Sequence, residues 1–305
     1  MKPQSFFILL AALGVSSCKC DHLQEPEEPS TLINVQLSVD TLKLQYAGHE
    51  LPTDTVSTWQ LRYSLAAFDA DAPDDSVTPI FNFSSLSPDF EIYLPAGEYR
   101  VFGWADYVCS DTAKSLYFHI DDLTDMLLKN KFSYQGTDTH KIAFSAEYLL
   151  MVSDDTPDVE MTLSPVMGQY RIQSTDTPDF SVSKIVVSYP AGVPASLNLL
   201  SHKICHLWQG VSFSPDTDLD SESPIYDNIF AEECGTDVTV KIEVYDDTGE
   251  VRARRNAITF PMYQGGLTLV RTNIYSTLED DSTTGSSGGI GIDQSYDETT
   301  IIVIH

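Results

Sequence analysis

The sequence predicts an all-β chain built as β-sandwiches, with one short helix. Three observations carry this. Apolar and polar residues alternate with a period of two in run after run, as half-buried strands require. The runs recur at roughly ten-residue spacing with turn residues between them. Only one stretch carries the charge pattern of a helix.

In chain order, Ile33, Val35, Leu37 and Val39 face one way, and Asn34, Gln36, Ser38 and Asp40 the other. The phase then switches to Leu42, Leu44 and Tyr46, which predicts a bulge or turn near Asp40-Thr41 within continuing strand. Leu61, Tyr63 and Leu65 form the next run. Phe90, Ile92 and Leu94 lead through Pro95-Ala96-Gly97 into Tyr99 and Val101, a hairpin or a tight strand connection. Asp121–Lys129 is the expected helix, with acids in its first turn and a lysine in its last, as the helix dipole favours. Val159, Met161 and Leu163 make a strand that ends near Ser164-Pro165, and a new one opens at Tyr170. The body therefore divides into 31–165 and 166–305. In the second part, Val238, Val240, Ile242 and Val244 alternate strictly, and Asp246-Asp247-Thr248-Gly249 turns the chain into Val251–Phe260. This is the strongest hairpin signal in the sequence. Leu267, Leu269, Arg271 and Asn273 share one face of a further strand. A Gly/Ser linker, Ser282–Gly289, precedes a closing run of β-formers, Ile301, Ile302, Val303 and Ile304. Left exposed, that run would be an adhesive edge, so it must pair with its own sheet or a neighbour.

The 305 residues hold 42% hydrophobic and 20% charged residues, enough apolar side chain for a core. Acids outnumber bases 45 to 17, a formal charge of −28. Such a surface repels phosphate backbones and anionic headgroups, which excludes nucleic acid as a partner.

The first residues read as an export signal. Lys2 gives a positive start, and Phe6–Val15 is an apolar run of signal-peptide length, short of the about twenty residues that span a bilayer. Small residues, Ser16-Ser17, then precede Cys18. Residues 1–17 are thus expected to be removed and 18–30, with its prolines and acids, to form a flexible tether. Cys20 follows Lys19, a poor residue at a cleavage point that prefers small side chains. Cys20, Cys109, Cys205 and Cys234 allow three complete disulfide pairings, and sequence does not choose among them.

No catalytic pattern is present: no H-E-x-x-H, no G-x-S-x-G, no C-x-x-C and no phosphate loop before a helix. The chain reads as a non-enzyme without a cofactor. His202 and His206 are four apart around Cys205, but no helix signal brings them to one face. Asp216, Asp218, Asp220 and Glu222 form an alternating acidic run, a weak calcium candidate that lacks the glycine and helices of an EF-hand. Trp104 and Tyr107 flank Asp106 and are the candidate glycan contacts, against the commoner use of aromatics as sandwich core.

Taken in order, these stretches resemble the fimbrillin-like lipoproteins of Bacteroides-type bacteria, the major and minor fimbrial subunit superfamily. Val15-Ser16-Ser17-Cys18 is similar to a lipobox. Leu94–Tyr107 is similar to that family's first-domain turn and strand. Tyr189–Asn198 with Gly210–Phe213 is similar to its second domain, and Gly265–Asn273 with Gly289–Asp293 to its closing segment. The resemblance implies two tandem transthyretin-like β-sandwiches, and diacylglycerol on Cys18 with further acylation of its amine. It implies display on the outer membrane and cell surface, with other fimbrial subunits as partners joined by strand exchange. It also implies removal of an N-terminal strand by a protease, for which Arg62 and Lys43 carry no distinguishing signal. The strand expected to be donated is Ile301–Ile304, because the linker before it lets it swing. The alternative is a surface lipoprotein that does not polymerise and binds glycans or host proteins.

Overall fold

The computed structural model describes residues 30–49, 52, 59–76, 78–110, 114–215, 225–278 and 300–304. Strand β1 (Ser30–Val39) buries Ile33, Val35 and Leu37 and exposes the polar residues between them. It ends at Asp40, whose carboxylate accepts from the Lys43 backbone N–H at 3.1 Å and caps helix α1 (Thr41–Ala47). Gly48, at φ 80°, closes the helix by donating back to Gln45 and Leu44 carbonyls. The phase switch at Asp40 is thus a helix start rather than a bulge in a strand. An aspartate one residue before an apolar segment is an N-cap, and a glycine after it is a C-cap.

Strands β2 (Trp59–Asp69), β3 (Phe81–Ser85), β4 (Asp89–Pro95) and β5 (Gly97–Cys109) follow. The turn between β4 and β5 is a strand connection, not a hairpin. β4 pairs with β1, whereas β5 pairs with β2 along its length from Trp59↔Cys109 to Asp69↔Tyr99. Tyr99 fixes this turn by donating its hydroxyl to the Pro95 carbonyl at 3.0 Å.

β6 (Phe118–His119) precedes, and β7 (Met126–Leu128) lies within, the stretch 121–129 where the sequence predicts a helix. That helix does not form. The Asp122 carboxylate accepts from the Thr124 N–H and hydroxyl at 2.8 and 2.7 Å, an Asx turn that competes with the first helical turn. Met126 and Leu128 then bury themselves in a sheet.

β8 (Ala143–Val152) and β9 (Val159–Pro165) complete the first half. Its strand order is β3-β2-β5-β8-β9-β1-β4. The β8–β9 junction is only Phe144↔Pro165 and Ser145↔Ser164, so the sheet folds there into two faces. Ile33, Leu65, Ile92, Val101 and Leu163 fill the space between them.

The second half begins with β10 (Met167–Ser174) and β11 (Val182–Ser188). Short strands follow: β12 (Val193–Pro194), β13 (Ser196–Asn198), β14 (Lys203–Ile204), β15 (Leu207–Trp208) and β16 (Ser212–Phe213). Longer ones close the chain: β17 (Ile225–Phe230), β18 (Thr236–Asp246), β19 (Val251–Met262), β20 (Leu267–Thr272) and β21 (Thr300–Ile304). Two four-stranded sheets, β17-β10-β20-β21 and β16-β11-β18-β19, enclose Tyr170, Ile185, Val240, Ile258 and Val270. The β18–β19 hairpin predicted at Asp246–Gly249 is present, closed by Asp246 N–H to Glu250 O at 3.0 Å, with Gly249 at φ 83°.

The outer face of β2 and β5 is not solvated. Ala66, Phe68, Phe102 and Trp104 belong to the same apolar cluster as the core of the second half. The sheet β14-β13-β7-β6 joins segments from both halves through Leu197↔Met126. Arg100 Nη2 to Leu200 O (2.8 Å), Asn198 Nδ2 to Asp74 O (2.9 Å) and Arg171 Nη2 to Gly48 O (2.9 Å) add polar ties.

Candidate functional site

The predicted donor strand lies at a sheet edge. β21 pairs antiparallel with β20, from Leu267↔Ile304 to Arg271↔Thr300. Ile301, Ile302 and Ile304 are 40%, 39% and 37% exposed, so residues on both faces of this strand meet solvent. An uncharged run of β-branched residues held along one edge is the arrangement that soluble proteins usually cover or charge. Its inner end rests on the turn before β20. Gly266 donates to Tyr263 O at 3.0 Å, and a Cβ there would stand 3.1 Å from Ile304 O, so glycine permits the approach.

His49 lies beside this turn, 8% exposed after the α1 cap. Burial pushes its imidazole down to about 4, against the raising effect of the Gly266 and Gly265 backbone, with Arg171 lowering it further. The ring is therefore neutral across the neutral range.

A second constellation, not anticipated from sequence, is a buried polar cluster at the seam. Asp227, on β17, is fully buried. It accepts from Tyr134 at 2.7 Å and Tyr189 at 2.5 Å, and pairs with the Lys141 ammonium. Lys141 also donates to Gln135 O at 2.8 Å and Tyr134 Oη at 3.1 Å, and Tyr170 meets Tyr189 at 2.8 Å. Burial lowers the Lys141 pKa while Asp227 opposes that shift, and burial first, Asp227 second, raises all three tyrosines well above their usual value. Lysine, aspartate and tyrosines here complete one another's hydrogen bonds, the condition under which buried charge is tolerable.

A third cluster corrects the expected glycan contact. Trp104 is 1% exposed. Its indole N–H donates to Asp106 at 3.2 Å, and its ring stands edge-on to Phe118 at 5.7 Å. Arg62 closes the group with Nε and Nη2 on Asp106 at 2.9–3.0 Å. No sugar reaches an indole so enclosed, because the second half covers that face of β5. Tyr107 is half-buried, with its ring edge-on to His140 at 5.6 Å.

The lipidation residue Cys18, with Cys20, and the acidic run Asp216, Asp218, Asp220 and Glu222 lie outside the described residues. Cys109, Cys205 and Cys234 are free thiols. His202 turns to Glu147 and His206 to Asp125, at 3.4 and 3.7 Å, so the pair does not converge. Among the described residues no three His, Cys, Asp or Glu side chains gather as a metal site would require.

The match that decides the family covers residues 27–304, nearly the whole folded body. The chain belongs to the family of unknown function DUF6562. No curated protein matches it. Solved structures similar to this DUF6562 chain include a candidate polysaccharide-binding protein (DUF1812) of Bacteroides thetaiotaomicron, with 11% identity, TM-score 0.49, and 79% of this chain and 91% of that one covered. A candidate adhesin of Bacteroides ovatus is similar at 12% identity and TM-score 0.46, covering 76% and 83%. The tip fimbrial protein Mfa3 of Porphyromonas gingivalis, C-terminally truncated, is similar at 8% identity and TM-score 0.43, covering 90% and 98%.

Proposed function

We propose that this DUF6562 chain is a structural or adhesive subunit of a cell-surface appendage, anchored in the outer membrane by lipid on Cys18. Residues 18–30 tether two transthyretin-like sandwich domains, 31–165 and 166–305, and the subunits join by strand exchange. The observation that carries this reading is β21: apolar, exposed on both faces and held along one edge by β20. Donated to another copy, it makes the same backbone hydrogen bonds in trans, so exchange trades equivalent ladders. Further contacts in the assembly then cover isoleucines that the isolated chain leaves wet. The fimbrillin-like stretches of the sequence, from the lipobox to Gly265–Asn273, support the same role.

Deletion of residues 298–305 tests it. The expected result is a chain that melts within a few degrees of the parent but no longer forms the oligomers of the full chain in light scattering. Loss of folding on deletion, or unchanged oligomers, refutes donation.

A further inference from the structure

The segment between β7 and β8 packs against residues 116–117 around a cavity of about 140 Å³. Tyr117 and Tyr134 supply aromatic walls, and Asn130, Ser133 and Gln135 supply polar groups to its lining. The walls are fixed: the Tyr117 hydroxyl is held by Asp138 and the Tyr134 hydroxyl by Asp227. The lining segment is fixed too. Asn130 adopts φ 65° and donates from Nδ2 to Leu116 O at 3.0 Å, and Lys129 N–H donates to Tyr117 O at 2.7 Å. By contrast, the Ser133 hydroxyl and the Gln135 side-chain amide have no hydrogen bond among the described residues. Between Asn130 and Ser133 stands Phe132, wholly exposed at 102% on a 3-10 turn.

The geometry points to this cavity as a binding site for one neutral pyranose ring of a glycan, with Phe132 as a platform for the neighbouring sugar. A pyranose has an apolar C–H face and a rim of hydroxyls. The margins of the Tyr117 and Tyr134 rings that reach the cavity meet part of that face, while a free amide and a free hydroxyl suit vicinal hydroxyls, donating and accepting at once. A cavity of about 150 Å³ holds one benzene-sized ring, so this one takes the six-membered ring itself, with the outer substituents of the sugar in solvent. The charge agrees as well. The Lys141 ammonium at the cavity is already engaged by Asp227, and the chain as a whole, at −28, repels anions. Concave, mostly pre-formed pockets with a few convergent polar groups are where small ligands bind. This site lies apart from Trp104 and is independent of strand exchange, because β21 contributes nothing to it.

Saturation-transfer NMR on the full chain in detergent tests the inference, with methyl glycosides of glucose, galactose, mannose and N-acetylglucosamine as probes. At least one glycoside is expected to receive saturation with a dissociation constant of about 1 mM, the scale for a ligand of this size. Gln135→Ala and Phe132→Ala, both at exposed positions, are each expected to weaken it at least fivefold with thermal melting unchanged. Phe132→Ala is read with the corresponding disaccharides. Absence of transfer from all four probes, or transfer that both variants leave intact, overturns the assignment.

Discussion

Asp227 sits among three proton donors, Tyr134, Tyr189 and Lys141, with no exposure to water, and each donor depends on its charge. Removing one partner of a buried pair leaves the other uncompensated, which costs about 3–5 kcal/mol. Asp227→Asn is therefore expected to lower unfolding free energy by about that amount in urea titration, and Asp227→Asn with Lys141→Met by less than Asp227→Asn alone. His49 gives a pH dependence. Its folded pKa is depressed to about 4 from an unfolded value near 6.5. The unfolded chain thus binds the proton first as pH falls. The contribution is complete above pH 6.5 and is lost progressively toward pH 4, about 3 kcal/mol in all. His49→Gln is expected to flatten the stability profile of the chain in that window. A profile unchanged by the substitution contradicts the burial account.

At the scale of elements, strands were legible wherever one face is buried and the other wet. β1, β9, β18 and β19 follow their alternation because each covers one side of a sandwich. The misreadings have local causes. Over Thr41–Ala47, apolar residues at 42, 44 and 46 imitate a strand, but Asp40 and Gly48 supply a helix start and stop. Asp40→Ala is expected to cost about 1 kcal/mol in thermal melts, the usual loss of an N-cap. Over 121–129, the charge pattern of a helix was overruled by an Asx turn and by pairing of β7 with β6 and β13, partners distant or invisible to local pattern. For Trp104 the sequence leaves core and glycan contact open, and the structure places it in the core; alternation tells which residues share a face, not whether another half of the molecule covers that face. The Asp227 cluster has no sequence signal at all: Tyr134 and Lys141 come from the segment between β7 and β8, Tyr189 from just past the end of β11 and Asp227 from β17, three segments far apart in the chain.

For the whole molecule, the two halves share an apolar cluster, a small antiparallel sheet with strands from both and buried ion pairing, so they are held at the seam by more than a linker. The strong acidity opposes indiscriminate association between copies, so the proposed assembly relies on pairing of a specific edge. Register makes that claim directly measurable. Leu269 faces Ile302 across the β20–β21 ladder. Two populations of the chain, both with the described cysteines replaced by serine, are mixed, one carrying Leu269→Cys and the other Ile302→Cys, and treated with a short thiol crosslinker. Strand exchange predicts a covalent dimer that contains one chain of each kind. Mixed chains that stay uncrosslinked, while a single chain carrying both cysteines crosslinks only within itself, contradict it.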